Sequence, residues 1–595
     1  MTLPTLLGHV GAVAGASLSI RQFEGLSSGI AIIGGRSYRV GQVGSFVRIP
    51  QGYHDLYGVI SEVGASATPE ALVDQTNRGD RWMTVQLVGE CVGTAFERGI
   101  SQYPAINDEV HLVTDQDLES IYGEEGEGQV KVGRLAGAES IDVRIDLDKL
   151  VTRHSAVLGS TGSGKSTTVS SLLSAIATGD DKKKQFPSSR ILLLDIHGEY
   201  SVALKDRANV FRVNPSDGQK PLQIPFWAVG VTEMLHFLMG NVEGKALSSI
   251  LDTIMERKLA VSEAGSFEGI DPFAMTVETP LPFSLHQLWF DLNDKEVSTF
   301  LDGARTQPAI EEEGDAAQLR PHKYQPASTT NTAPYHNNRG VLSIRRQLDQ
   351  LRSRMLDRQF DFLLHPGPWE PGLDGATESD LPDLLEDWVG SNQPISILDL
   401  SGIPSSVLDQ LIGAILNVVY EAMVWGRETP EGGRQRPLLV VMEEAHRYLG
   451  RDSDNLARDM VQRIVKEGRK FGVGAMIVSQ RPSEIDETIL SQCGTFISLR
   501  LSNSADRGKV QAALSDSLSG LMDSLPVLRT GEAIITGEAA LLPVRCRISL
   551  PPENRRPSSG DPRVSEAWSQ ERKDSTYARP VAAWRAQDPS FELEE

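Results

Sequence analysis

The chain has 595 residues, 40% of them apolar and 23% charged, with a formal net charge of −22. That length exceeds what one hydrophobic core serves, so several domains are expected, and the composition excludes fibrous and wholly disordered classes. The acidic balance argues against a protein that wraps nucleic acid over its whole surface, but it leaves room for an assembly that is acidic outside and basic only along a bore. Cys91, Cys493 and Cys546 are widely spaced, which fits a reducing compartment and offers neither a disulfide framework nor a thiolate metal site. No apolar run reaches the roughly 18 residues of a membrane span. The opening MTLPTLLGHVGAVAG lacks a basic leader, so a cytoplasmic protein without membrane attachment is expected.

Residues 1–148 carry no long helical period. Short alternating runs recur there, among them YRVGQVGSFVRIP, LYGVISEVG, RWMTVQLVGEC and GQVKVGRLAG, separated by glycine, proline and acidic turns. This pattern predicts a small antiparallel β-barrel, a kind of unit that suits assembly.

At 154–176, HSAVLGSTGSGKSTTVSSLLSAI places a short apolar strand before a glycine-rich turn and an amphipathic helix. The turn Gly159-Ser160-Thr161-Gly162-Ser163-Gly164, followed by Lys165, Ser166 and Thr167, satisfies G-x-x-x-x-G-K-[ST] in its required strand–loop–helix setting. Glycines let the backbone curl so that several N–H groups converge where the positive end of the helix lies. Lys165 then reaches the β- and γ-phosphates of ATP, and Ser166 ligates Mg2+. In RILLLDIHGEY, Ile191 to Leu194 suit a parallel strand covered on both faces. Asp195, His197 and Glu199 fall just past its C-terminal end, where ligands sit in open α/β sheets. Asp195 either orients a magnesium-bound water or acts as the Walker B carboxylate, while His197 either senses phosphate or caps a turn.

From 231 to 390 the pattern becomes mostly helical. It is interrupted at 301–338 by a stretch rich in Pro, Ala, Thr and Asn that predicts a flexible surface loop. VLSIRRQLDQLRSRMLDRQFDFLL at 341–364 then reads as one long helix. Residues 149–230 and 391–550 are expected to form the nucleotide core, with 231–390 inserted into it.

The sheet resumes with PISILDLSG at 394–402 and PLLVVMEEAHRYLG at 437–450. Glu443 and Glu444 emerge at the end of the latter strand, where one carboxylate manages magnesium and a second activates water. Glu443 stands where Asp is usual, which suits a water-mediated metal contact, and Glu444 is the candidate general base. Gln480, ending VGAMIVSQ, can hydrogen-bond the γ-phosphate or the lytic water. CGTFISLRL adds a strand, and RTGEAIITGEAALLPVRCRISL at 529–550 predicts a terminal hairpin. Residues 551–595 form a polar tail, either disordered or a strap that orders on a neighbouring subunit. Lys205, Lys220, Arg507 and Lys509 lie in or near post-strand segments that could line a DNA-binding bore, although each reads equally well as a solvated side chain.

Five segments in this order, GSTGSGKST (159–167), DIHGEY (195–200), MEEAH (442–446), EGRKFG (467–472) and SQRPSEI (479–485), resemble the HerA-type DNA-translocating ATPases of the HerA/FtsK group, bacterial members included. The resemblance implies an α/β fold: a P-loop, RecA-like core with a parallel-rich sheet, an N-terminal small β-barrel and a helical insertion. It also implies a homohexameric ring that hydrolyses ATP between subunits with Mg2+ and moves double-stranded DNA through its bore. A nuclease of the NurA type, or an antiphage effector enzyme, would be its partner. In the family pattern Lys165 matches the phosphate-loop lysine, Ser166 the magnesium hydroxyl, Glu444 the catalytic carboxylate, Asp195 the acidic residue of the DxHGEY segment and Gln480 the sensor. Arg469 looks like an arginine supplied across the subunit interface and Arg153 like a second one, while Ile196 stands where proline is common. The same ATP residues also fit a nucleotide-gated scaffold that activates an effector with little DNA movement.

Overall fold

Alternation of apolar and polar residues shapes the first unit of the computed structural model, which describes residues 5–23, 30–33, 36–64, 81–93, 95–122, 127–178, 186–265, 267–330, 332–337, 341–451, 455–513, 519–557, 564–571, 577–586 and 591. Its strands are β1 (Leu6–Ala14), β2 (Ser17–Gln22), the hairpin pair β3 (Ile30–Ile33) and β4 (Arg36–Arg39), β5 (Phe46–Pro50), β6 (His54–Gly64), β7 (Trp82–Val92), β8 (Ala95–Arg98) and β9 (Glu109–Leu112). The order β2-β1-β9-β5-β6-β7 closes through a β2–β7 pairing, giving a six-stranded antiparallel barrel with β8 appended to β7. Val10, Leu18, Ile20, Val47, Ile60 and Val85 fill its interior.

The next two strands depart from the sequence reading. β10 (Gln129–Leu135) and β11 (Ala138–Asp146), which include the run assigned above to the barrel, join a separate twelve-stranded sheet instead. Alternation reports that one face is buried; it does not say against which layer, and the pairing of Leu135 with Cys546 decides that.

That sheet also takes up β12 (Ser155–Leu158), β13 (Ile191–Asp195), β14 (Ala208–Arg212) and β15 (Lys220–Pro221). A helical segment follows, with helices at Val231–Met239, Gly244–Ala264, Leu285–Val297 and Arg345–Met355. Between the last two lie two small antiparallel pairs, β16 (Thr299–Phe300) with β19 (Tyr335–His336), and β17 (Ile310–Glu312) with β18 (Lys323–Tyr324). The stretch read as flexible from its composition is thus tied down: Asp302 accepts from the Thr306 and Gln307 N–H groups, and Ala309 and Leu319 are buried. The expected long helix stops at Met355, and Asp357 then accepts from Gln359 N–H and opens a new turn at Arg358–Phe360. An Asp that bonds the nearby backbone offers it an alternative to continuing the helix.

The sheet closes with β20 (Ile395–Asp399), β21 (Leu438–Met442), β22 (Val473–Ser479), β23 (Thr495–Ser498), β24 (Glu532–Gly537) and β25 (Val544–Ile548). Its order is β11-β10-β25-β24-β23-β12-β22-β21-β13-β20-β14-β15, parallel from β23 to β15 and antiparallel on the other side. Every residue of β12, β13, β20, β21 and β22 is buried, as a parallel sheet covered on both faces requires. Successive residues feed opposite layers. Leu192 and Leu194 join the layer containing the helical segment, whereas Ile191 and Leu193 join the layer of the helix Lys165–Thr178 and the barrel residues Phe46 and Tyr57. The helix Leu408–Trp425 has the length and apolarity of a membrane span, but it buries Leu411, Ile412, Ile415, Leu416 and Val419 in the first of these layers.

Candidate active site

The phosphate loop leaves β12 at Leu158 and enters the helix at Lys165. Ser163 N–H donates to Ser160 O at 3.0 Å, which folds the loop on itself. Two glycines are needed for space. A Cβ on Gly159 would stand 2.5 Å from Ser163 Oγ, and Gly164, at φ +95°, would press a Cβ to 3.2 Å from the Gly531 nitrogen. Thr161 and Gly162 are exposed, Ser166 and Thr167 half-buried, and Ser163 fully buried. The loop is braced from the β23–β24 side, where Gly531 N–H donates to Ser163 O and both Arg500 and Thr530 donate to Gly162 O. This cradle fits a nucleotide's phosphates: backbone N–H groups beside a helix N-terminus, and a lysine within reach.

Lys165 Nζ lies 2.7 Å from Glu443 Oε1 and 2.8 Å from Glu444 Oε1, with all three side chains almost fully buried. Burial works against the ammonium, but the two carboxylates outweigh it and hold Lys165 above the usual lysine value. The carboxylates respond differently to their shared cation. Burial pushes Glu443 up despite Lys165, while Lys165 and the Gln480 amide overcome burial at Glu444 and keep it below the usual carboxylate range. Glu444 also has a left-handed backbone, φ +46° and ψ +41°, which costs a non-glycine residue on the order of 1–3 kcal/mol. The strain aims its carboxylate back at the lysine. Gln480 bridges the two halves of the site, donating to Glu444 Oε1 and accepting from the Thr161 hydroxyl. His446 Nδ1 stands 3.2 Å from Glu444 Oε2 and 3.3 Å from Ser479 Oγ.

Glu443 Oε2 is buried and has no hydrogen-bond partner, an acceptor that a divalent cation or its water shell would satisfy. The Ser166 hydroxyl lies beside the buried Tyr200 phenol. The residues present therefore fit Mg2+, with Ser166 as a direct oxygen donor and Glu443 as a nearby carboxylate. Asp195 is differently employed. Its oxygens accept from the backbone N–H groups of His197, Gly198 and Tyr200, which builds the DIHGEY turn. Burial, with Asp399 and Glu443 nearby, pushes its carboxyl up to about 7. His197 is exposed, and its backbone N–H belongs to that turn.

Both candidate arginines lie at the opposite end of the sheet from the phosphate loop. Arg469 is exposed in the turn Gly468–Phe471 that precedes β22, whose far end Ser479 sits opposite Leu158. Six strand steps of about 3.3 Å separate Val473 from Ser479, so Arg469 is roughly 20 Å from its own phosphate loop. Arg153 precedes β12 and faces Glu538, Nε to Oε2 at 3.5 Å. Of the candidate DNA contacts, Lys205 is exposed, Lys220 pairs with Asp387 at 2.6 Å, Lys509 pairs with Glu487 at 3.2 Å, and Arg507 donates to Ser502 O at 2.8 Å. Lys220 on β15 is seven strand spacings from β23, whose following helix Ser504–Ala513 carries Arg507 and Lys509. At about 4.8 Å per spacing that is roughly 34 Å, so the four do not form one patch in a single copy. Three site residues escaped the sequence reading: His446, Arg500 and Thr530. The first two stand at or just past strand ends, which was the available signal.

A phosphate loop on a parallel sheet, with its lysine facing a strand-end carboxylate pair and the Gln480 amide beside them, defines a P-loop ATPase of the RecA-like class. Family models agree and go further: "Helicase HerA, central domain" matches residues 130–419 and "Helicase HerA-like C-terminal" matches residues 420–555. The chain belongs to the HerA helicase family, and it is an ATP-hydrolysing enzyme of the helicase and DNA-translocase kind. It is 28% identical over 482 residues to the DNA double-strand break repair helicase HerA of Sulfolobus acidocaldarius, covering 81% of this chain and 80% of that protein. It is 26% identical over 497 residues to the protein of the same description from Pyrococcus furiosus, covering 78% and 77%. Among solved structures, VirB4 of Thermoanaerobacter pseudethanolicus overlays with a TM-score of 0.45 at 14% identity, covering 72% of this chain and 98% of that one.

Proposed function

We propose that the chain forms a homohexameric ring that couples ATP hydrolysis to movement along double-stranded DNA in support of a partner enzyme, either a nuclease of the NurA type or an antiphage effector. The observation that carries the ring is the placement of Arg469 and Arg153 at the ends of β22 and β12 opposite their own phosphate loop. From there a guanidinium reaches a γ-phosphate only on a neighbouring copy, where it makes directed hydrogen bonds and offsets charge in the transition state. DNA and ATP meet in the cytoplasm, which is where this reading puts the protein.

The chemistry follows from the site. Lys165 exchanges its carboxylates for the β- and γ-phosphate oxygens, and loop N–H groups bind the same phosphates. Glu444, freed of the lysine and oriented by Gln480, accepts a proton from water as the water oxygen bonds to the γ-phosphorus and the bond to ADP breaks. Mg2+, held by Ser166 and through water by Glu443, would neutralise charge on the phosphate oxygens. Asp195 keeps the neighbouring turn in shape, and Thr167, one residue past Ser166, continues the helix start.

The test is ATPase rate and mass of the assembly with and without linear duplex, across a salt series. DNA-stimulated turnover that falls steeply with salt in a six-copy particle is expected. The scaffold reading is favoured by one observation, that Lys220 and Lys509 are already ion-paired within the chain. A six-copy particle whose turnover ignores both DNA and salt would establish it instead.

A further inference from the structure

Arg500 follows β23, the strand beside β12, and the backbone pairing of these strands continues past their ends. Leu499 N–H donates to Leu158 O at 2.7 Å, and Ser160 N–H donates to Arg500 O at 2.9 Å. Arg500 is therefore fixed alongside the first residues of the phosphate loop. Its Nη2 donates to Gly162 O at 3.2 Å, a carbonyl that also accepts from the Thr530 hydroxyl at 3.3 Å. A guanidinium carries five N–H donors in a rigid fork. Among the described residues that one carbonyl is its side-chain partner, and no carboxylate neutralises it.

The sheet order gives the residue its direction. Glu443 and Glu444 leave β21 and Gln480 leaves β22, both on one side of β12, while Arg500 leaves β23 on the other. On the ATP-site reading above, the γ-phosphate takes the β21–β22 side of the loop beside Lys165, Glu444 and Gln480, which leaves the β23 side for the remaining phosphates. We propose that Arg500 is a nucleotide-binding residue of the same chain that takes the α-phosphate, the end of the polyphosphate that hydrolysis leaves bound. The inference rests on the ATP-site reading above and adds to it a group that acts on ATP and ADP alike. An interaction made equally before and during the reaction lowers KM and leaves kcat unchanged.

The experiment compares Arg500→Ala, Arg500→Lys and Thr530→Val in the full-length protein, titrating ATP and ADP separately and measuring turnover at saturating ATP. Arg500→Ala is expected to weaken both nucleotides by about tenfold or more and to leave kcat within about twofold, as befits loss of a charge-assisted hydrogen bond. Arg500→Lys, which keeps the charge but loses the fork, falls between Arg500→Ala and the unaltered protein, and it answers the same question should the alanine variant fold poorly. Thr530→Val removes the other donor to Gly162 O and measures what bracing that carbonyl is worth; it is expected to weaken both nucleotides several-fold less than Arg500→Ala does, because a neutral hydroxyl offers a phosphate no charged fork. Equal losses in Arg500→Ala and Thr530→Val would reduce Arg500 to a loop brace. Loss of kcat with unchanged ADP affinity would put it at the γ-phosphate. Either result overturns the proposal while leaving the ATP site intact, whereas an unaltered protein that binds neither nucleotide would overturn the site itself.

Discussion

Removing Lys165 should destabilise the free protein before any nucleotide is considered. Lys165 is the cation between Glu443 and Glu444, and all three side chains are at most 5% exposed. Lys165→Ala leaves two buried carboxylates facing each other, with Asp195 and Glu199 close to Glu443. Breaking a buried ion pair by deleting one partner costs roughly 3–5 kcal/mol, because the other charge stays desolvated. Without the lysine, each carboxyl shifts above its unfolded value. The folded state then holds protons that the unfolded state has released, so its stability falls as pH rises from the ordinary carboxylate range toward the raised values. The deficit should therefore be small near pH 5 and full near pH 8. Hydrogen exchange in peptides covering β21 reports this core without assuming two-state unfolding of the whole chain. At about 1.4 kcal/mol per tenfold, exchange through unfolding at pH 8 should be at least about a hundredfold more frequent than in the unaltered protein. Equal protection in both proteins at pH 8, or a deficit of the same size at pH 5, would refute the reasoning.

Glu444→Gln removes the proton acceptor but keeps the Lys165–Glu443 pair, so it should bind ATP normally and lose about 10²- to 10⁴-fold in turnover, read by nucleotide titration and phosphate release. Arg469→Ala should assemble and bind ATP but hydrolyse it slowly; in mixtures with Lys165→Ala, partial recovery of ATPase would place the two defects at one interface and leave another intact. His365 is pushed up to about 9, first by its hydrogen bond to Glu370 and against burial, so the stabilisation it provides is complete below its ordinary 6.5 and disappears as pH rises through about 9. His365→Gln, which breaks the 2.8 Å contact between His365 Nδ1 and Glu370 Oε1, should flatten the fall of stability with pH in urea titrations between pH 6 and 9.5; an unchanged fall would show that the contact does not stabilise the fold.

The phosphate loop and the two glutamates were legible because each lies in one continuous stretch that carries both the chemistry and its strand-end setting. Layer assignment was not legible for β10 and β11, since alternation looks the same in a barrel strand and in the edge of a sheet. The segment 301–338 misled by composition: its order comes from Asp302 and from short paired strands rather than from a run of apolar residues. Asp357 ended a helix that periodicity alone would have continued. Arg500 and Thr530 lie more than 300 residues from Gly162 in sequence. The placement of β23 beside β12, and of β24 beside β23, brings them to the loop, and strand order is not written in local pattern.

Displacement of a third strand from a triplex on linear duplex DNA tests the central claim most directly, because a particle that merely binds DNA leaves the third strand in place. The account predicts ATP- and Mg2+-dependent displacement by the unaltered protein and none by Glu444→Gln, although that variant still binds ATP and duplex. Robust DNA-stimulated ATP hydrolysis without displacement, under conditions where six-copy particles are on the DNA, would contradict the assignment of a motor and leave a nucleotide-gated scaffold.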